Sequence, residues 1–85
     1  MLTQKDLERE VREISNFLGV LHYGKTSIVM STTKDVVISF TTMLLAKNRL
    51  VDLGFVISEF NENNSAKQWL EENNILYFCI SFDAA

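Results

Sequence analysis

The chain has one histidine and one cysteine, the two side chains that most readily supply a base, a nucleophile or a metal ligand near neutral pH. His22 stands beside Tyr23 after a helical pattern, and the sequence identifies no carboxylate or thiol partner for it. Cys79 lies in the most apolar stretch, where a thiol behaves as a small hydrophobic group. We therefore expect no catalytic residue and no metal site, and we expect that the protein is not an enzyme.

Phosphate-binding and metal-nuclease motifs are also missing from the sequence. A nucleotide-binding loop places glycines between a strand and the following helix, so that backbone N–H groups reach the phosphate. Gly19, Gly24 and Gly54 instead lie where a predicted helix ends before a strand. The segment 59–61 is Glu-Phe-Asn and lacks the lysine that would complete a nuclease-type acidic motif. No cofactor is therefore expected.

Polar side chains follow three of the predicted strands. In open α/β sheets, ligands bind outside the carboxyl ends of parallel strands. Such a sheet would bring these side chains to one edge, which makes that edge the place to expect a small-molecule site. The candidate ligand edge comprises Thr41, Thr42, Asn61, Glu62, Asn63 and Asp83.

The formal net charge of −3 is unevenly distributed along the chain. Acidic residues dominate the last third, where they can attract a basic partner and speed its encounter. This candidate partner surface comprises Glu59, Glu62, Glu71 and Glu72.

The middle of the chain is basic, and a small nucleic-acid footprint there is an alternative. It would use Lys25, Lys34, Lys47 and Arg49. Because the chain as a whole carries no basic excess, nucleic acid is the less favoured partner.

The first element that would position these residues is a helix, predicted over residues 3–22. Thr3 and Asp6 have the spacing of a capping box at its start. Gly24 follows as its expected end, because glycine takes the left-handed conformation at low cost. Apolar residues recur between these ends as along one face of a helix, at Leu7, Val11, Ile14, Leu18 and Leu21.

Strands and helices then alternate in what we expect to be a single domain, residues 1–85. β-branched residues predict strands over 26–31 and 36–40, joined by a polar hairpin loop. The further predicted elements are a helix over 42–53, a strand over 55–60, a helix over 65–73 and a strand over 75–82.

Connection lengths and hydrophobic pattern constrain the topology. Both helical connections are long enough to return the chain parallel to its earlier direction. The last strand is apolar on both faces and suits the sheet centre, whereas Ser58 and Glu59 place the strand before it at an edge. We predict an α/β fold, with α+β as the alternative. It is a single small sandwich of element order α-β-β-α-β-α-β, with an N-terminal hairpin, two parallel crossovers and a mixed four-stranded sheet of order 1-2-4-3.

The outer strand of the predicted hairpin is a candidate dimer edge. Ile28, Val29 and Met30 carry no charge, and no proline interrupts them. Unprotected edges of this kind pair readily with a second copy.

Small size, missing catalytic sets and an acidic final third favour a non-enzymatic protein-protein interaction module. We expect a small regulator or inhibitor that binds a partner protein, of a kind that mobile elements encode. The alternatives are a nucleic-acid-binding protein and a small-molecule or catalytic site at the sheet edge. No apolar run approaches the ~20 residues of a membrane span, so we expect a cytoplasmic protein with no membrane partner.

Overall fold

The computed structural model describes residues 1–59 and 65–82. Its elements are helix α1 (Gln4–Ile14), strands β1 (Leu18–Tyr23) and β2 (Thr26–Ser31), helix α2 (Val36–Asp52), strand β3 (Val56–Ser58), helix α3 (Ser65–Glu72) and strand β4 (Tyr77–Ser81). The α/β class and the element order α-β-β-α-β-α-β are confirmed. Two of the segments that supply those elements differ from the prediction.

Helix α1 begins at the predicted capping box. The Thr3 hydroxyl accepts a hydrogen bond from the Asp6 backbone N–H at 3.2 Å, and the Asp6 carboxylate accepts one from the Thr3 backbone N–H at 2.8 Å. The Thr3 bonds, assisted by the nearby Arg9 guanidinium, hold the pKa of the Asp6 carboxyl below its ordinary value of 3.8. These two reciprocal hydrogen bonds stabilise the first turn, because they satisfy N–H groups that have no partner within the helix.

The predicted helix over residues 3–22 is wrong in its second half, because α1 ends at Ile14. Ser15 has an extended backbone with φ of −167°, and its hydroxyl accepts a hydrogen bond from the Phe17 N–H at 2.9 Å. Serine competes with helical hydrogen bonds through such local contacts. The chain therefore leaves the helix and continues as β1.

Strands β1 and β2 form a hairpin through the two residues Gly24 and Lys25. Gly24 has φ of +55°, whereas Lys25 has no positive φ, as in a type II′ turn with glycine at its first central position. Gly24 therefore serves a strand turn and not the end of a helix. The N-terminal hairpin exists, but it lies one strand earlier than predicted.

The predicted strand over residues 36–40 is also wrong, because these residues form the first turn of α2. The Asp35 carboxylate caps this turn by accepting a hydrogen bond from the Ile38 N–H at 3.0 Å. Local β-propensity is a weak preference that tertiary packing overrides. The helix places Met43, Ala46 and Leu50 in the protein interior, and this burial outweighs the β-branched residues at its start.

The four strands form one sheet of order β1-β2-β4-β3. The predicted order 1-2-4-3 is right for its last two strands, with β4 inside the sheet and β3 at an edge, whereas its first two places are taken by residues 18–23 and 26–31 and not by 26–31 and 36–40. The predicted mixed sheet is wrong, since every neighbouring pair is antiparallel. Of the two predicted parallel crossovers, the one into β4 is therefore wrong, whereas the one into β3 does join strands that run in the same direction, although it starts from residues 26–31. The chain passes from β2 through α2 into β3 in the same direction, and β4 lies between these two strands and runs opposite to both. Antiparallel pairs form straight hydrogen bonds and are slightly more stable than parallel ones.

The candidate dimer edge is also wrong, because β2 is an interior strand. Ile28 and Val29 pair with β1 on one side and β4 on the other, and both are 0% exposed. Met30 is half-buried and pairs in the same two directions. The error followed from placing β1 in a helix, which left β2 without its outer neighbour.

Helices α1 and α2 cover one face of the sheet, and α3 covers the other. The larger core joins Leu7 of α1, Leu50 of α2 and Val29 of β2, together with Phe55 and Ile80. The opposite layer is smaller and packs Leu70 of α3 against the sheet. Burial of both sheet faces explains why β2 and β4 are apolar in consecutive positions.

Two helices end as the sequence indicates. Gly54, with φ of +102°, follows α2, and the Phe55 N–H reaches back to the Leu50 carbonyl at 3.0 Å. Asn74, with φ of +55°, follows α3, and Ile75 reaches back in the same way. Both ends have the backbone bond of a Schellman motif, which favours residues that tolerate positive φ. The predicted strand over 55–60 shortens to β3, and residue 60 lies outside the described residues.

Candidate functional site

Helix α2 is apolar on two faces, and only one of them is buried. The inward face consists of Ser39, Met43, Ala46 and Leu50, which recur at spacings of four, three and four and contact the core. On a helix that covers a sheet, the remaining positions are ordinarily charged or polar. On α2 a second row of apolar residues takes many of these positions.

The second row is strongly exposed. At about 100° per residue its members occupy an arc of about 100° beside the buried face. The side chains are between 49% and 74% exposed. We call this row the α2 apolar face; it comprises Val36, Val37, Phe40, Leu44 and Val51.

Single exposed hydrophobic residues are normal, but a row of five along four turns of helix is not, even though the exposed Lys47 interrupts it between Leu44 and Val51. Val37, Leu44 and Val51 are spaced by seven residues, and Phe40 adds the intermediate position. This is the spacing by which one helix packs along another. The α2 apolar face therefore has the geometry of a helix-packing surface without a helix of the described chain against it.

The other side of α2 faces α1. Leu45 and Arg49 line a shallow cleft of about 230 Å³ together with Glu10, Glu13 and Ile14 of α1. Leu45 is 57% exposed, close to the 63% of Leu44, although it lies about 100° away around the helix. The adjacent residues Leu44 and Leu45 therefore lie on two different surfaces of α2.

The candidate ligand edge is not assembled as predicted. Thr41 and Thr42 lie inside α2, two turns from its start, and not after a strand. No edge of parallel carboxyl ends exists, since the described strands pair antiparallel. Asn61, Glu62, Asn63 and Asp83 lie outside the described residues.

The four basic residues of the nucleic-acid alternative do not form one patch. Lys25 lies in the hairpin turn and Lys34 precedes α2, so the two stand beyond opposite ends of β2. Lys47 and Arg49 lie on different sides of α2, and Arg49 lines the cleft that also contains Glu10 and Glu13. A nucleic-acid role therefore stays a prediction, and the four basic residues do not form a common surface that would support it.

The acidic candidate partner surface is brought together in part. Glu59 and Glu71 line one cleft of about 370 Å³ between α3 and the β3 edge. Glu71 also accepts a hydrogen bond from the Tyr77 hydroxyl at 3.2 Å. Glu72 is exposed on α3, and Glu62 lies outside the described residues.

The thiol and hydroxyl groups that line this cleft are not activated as nucleophiles or bases. Burial raises the pKa of the Cys79 thiol above its ordinary value, which keeps the sulfur protonated and a poor nucleophile. Burial and the adjacent Glu71 carboxylate raise the pKa of the Tyr77 hydroxyl in the same direction. The Ser58 hydroxyl is buried with no hydrogen-bond partner among the described residues.

The structure gives His22 partners that the sequence did not reveal. Its Nδ1 lies 2.6 Å from the Ser27 hydroxyl oxygen, and its Nε2 lies 2.7 Å from a Glu8 carboxylate oxygen. Gln4 donates a further hydrogen bond to the same Ser27 hydroxyl at 3.3 Å. These bonds are all satisfied when the ring proton is on Nε2, which donates to Glu8, while Nδ1 accepts from Ser27.

A serine, a histidine and a carboxylate are the components of a nucleophilic triad, but this arrangement cannot present its nucleophile. Ser27 is 0% exposed in an interior strand, so no substrate carbonyl can reach its hydroxyl. The nearest open cleft is lined by Glu8 and not by His22 or Ser27. The three residues instead connect α1 to the hairpin. In the sequence, the one sign of this contact is that His22 and Ser27 flank the hairpin turn, so that they face each other once the two strands pair.

Within residues 1–59 and 65–82, no three side chains of the metal-binding types lie close enough together to hold an ion. None of the helices in those ranges combines the length and the apolar character that a membrane crossing requires.

Comparison with known proteins adds no relative. No protein-family model matches the chain, and neither a curated protein nor a solved structure is significantly similar to it. Any function proposed for this chain must therefore follow from the geometry of α2 and its surroundings.

Proposed function

We propose that this chain is a protein-interaction module that binds a protein partner through the α2 apolar face. The observation that supports the proposal is the exposure of Val36, Val37, Phe40, Leu44 and Val51 along one side of a helix whose other side is in the core. Leaving such a row in water costs free energy that a partner would recover on binding. A small regulator or inhibitor acts by this kind of occupancy.

A protein fits this surface better than a lipid bilayer does. Interfacial membrane helices carry several lysines or arginines on the polar side, which attract anionic lipids. Around the α2 apolar face, the cations Lys34 and Lys47 are matched by the anions Asp35 and Asp52. The whole chain is moreover negative, with a formal charge of −3.

A protein also fits better than a small ligand. Ligand sites are concave and enclose most of the ligand surface. The α2 apolar face is a convex helical ridge, which is suited to packing into the groove of another protein. A reducing compartment such as the cytoplasm would agree with a single unpaired thiol, Cys79.

Site-specific photo-cross-linking in the cells that naturally produce the protein tests this proposal. A benzophenone amino acid replaces Phe40 on the α2 apolar face, and in a matched variant it replaces Trp69 on α3. Phe40 is 60% exposed and Trp69 is 54% exposed, so the two probes differ in location and not in accessibility. We expect protein adducts from position 40 and none of the same size from position 69.

A second variant controls for the surface itself. Leu44→Glu, combined with the probe at position 40, should remove the adducts, because a carboxylate in the centre of the row opposes apolar packing. Absence of adducts at position 40, or equal adducts at position 69, would contradict the proposal.

A further inference from the structure

We propose that the partner on the α2 apolar face is a second copy of this chain, whose α2 packs antiparallel to the first across a twofold axis at Leu44. The inference rests on the proposed function, because it names the occupant of the same surface. Its support comes from the size, the symmetry and the charges of that surface.

The size is near what a stable dimer needs. The five side chains of the α2 apolar face expose on the order of 500 Å² per chain, and standard interfaces bury roughly 800 Å² per partner. Thr41 and Asn48 flank the row and are exposed, so they would supply part of a polar rim, whereas Lys47 lies within the arc of the row. An area of this order lies in the upper part of the roughly 300–600 Å² range of the largest apolar patch on a typical monomer, and such patches are often functional.

Three of the five residues, Val37, Leu44 and Val51, are placed symmetrically about Leu44, whereas the counterparts of Val36 and Phe40 are the polar Asp52 and Asn48. A twofold interface requires that residue i contacts residue j and that j contacts i. Val37 and Val51 lie equally far before and after Leu44, so an antiparallel partner places each valine against the other one. Leu44 meets its own copy at the axis. Phe40 meets the partner's helix near Lys47, whose aliphatic stem and ammonium suit an aromatic ring.

Charge selects the antiparallel orientation. Lys34 precedes α2 and Asp52 ends it, and both are exposed. An antiparallel pair brings Lys34 and Asp35 of one copy near Asp52 of the other at both ends of the interface, so attraction and repulsion there largely cancel. A parallel pair would place Lys47 against Lys47 and Asp52 against Asp52, and it would align the two helix dipoles unfavourably.

Sedimentation velocity of the purified full chain, at roughly 5 to 200 µM, tests the inference through a matched pair of variants. Leu44→Lys places two ammonium groups at the axis and should raise the dimer dissociation constant by about 100-fold. Leu45→Lys makes the same change at a neighbouring exposed position that faces Glu10 and Glu13, and it should leave the dimer intact. Circular dichroism confirms that both variants remain folded.

Disulfide trapping tests the orientation. Under mild oxidation, Leu44→Cys should form a covalent dimer by itself, whereas Val37→Cys and Val51→Cys should each react mainly when mixed with the other. In a parallel pair, all three would cross-link by themselves. The native Cys79 does not compete, because it is 2% exposed.

Each outcome separates this inference from the proposed function. A chain that stays monomeric at 200 µM overturns the inference, as does a dimer that Leu44→Lys leaves unchanged, which would point to another surface such as the β1 edge. If the position-40 probe then yields adducts with a different protein, the proposed function stands with another partner. If that probe yields none, both proposals fail.

Discussion

At the scale of single residues, His22 shows most clearly that the role of a side chain depends on its surroundings. His22, Ser27 and Glu8 have the identities of a catalytic set, yet Ser27 is 0% exposed and its oxygen is shared with Gln4. A buried hydroxyl in that position holds two elements together. Its energetic importance follows from the cost of leaving buried polar groups without partners.

Replacing Ser27 by alanine should lower the free energy of unfolding by about 1 to 2 kcal/mol, because His22 Nδ1 and the Gln4 amide each lose a hydrogen-bond partner. The matched control is Ser58→Ala, whose hydroxyl has no partner among the described residues, and whose loss should be neutral or slightly stabilising. Urea unfolding of both variants measures the difference. Equal destabilisation would mean that the Ser27 network adds nothing beyond packing.

At the scale of elements, some helix ends were predicted correctly and others were not, since α1 ends at Ile14 and not before Gly24, and α2 begins after Asp35 and not at residue 42. The Thr3 and Asp6 capping box and the endings at Gly54 and Asn74 are local backbone events, and the sequence predicts all three. The apolar periodicity between Leu18 and Leu21 was misleading, because spacing of three also occurs in a strand whose two faces are both apolar. The strand-like start of α2 failed for a related reason, since its decisive contacts lie in the distant core.

The capping box predicts an acid-dependent stability. Asp6 has a lowered pKa when folded, so its contribution is present above the ordinary value of 3.8 and is lost as pH falls through the lower folded value. Asp6→Asn should therefore lower the urea midpoint at pH 7 and weaken the dependence of stability on pH below about 4. Lys5→Gln, an exposed change in the same turn, serves as the control. An unchanged pH profile in Asp6→Asn would show that the cap does not contribute.

At the scale of the whole molecule, the sheet is covered by two helices on one face and by one shorter helix on the other. Leu50 joins α2 to the larger core and is 0% exposed. The same helix carries the α2 apolar face outward, so the core fixes the direction in which that face points. The core contacts and the proposed binding surface thus lie on different sides of one helix.

Leu50→Ala should lower the free energy of unfolding by about 3 kcal/mol, since it removes buried methyl groups and leaves a cavity. Leu53→Ala, at a residue that is 40% exposed, should cost much less. Both changes are best measured in a Leu44→Lys background, because association would otherwise add to the apparent stability. Similar losses in the two variants would contradict the placement of α2 on the sheet.

The sequence by itself determined the α/β class, the order of elements, the Thr3 cap of α1, the C-terminal ends of α2 and α3, and the central place of β4 with β3 at the edge. These follow from local backbone chemistry and from which strands are apolar on both faces. Only the tertiary structure decided that residues 18–23 pair as a strand, that residues 36–40 are helical, and that the sheet is antiparallel. Those outcomes depend on contacts between distant segments, which local propensity does not encode. The exposure of the α2 apolar face is also decided by the tertiary structure. The spacing of its residues can be read from the sequence, but the packing of the core determines which side of α2 stays uncovered.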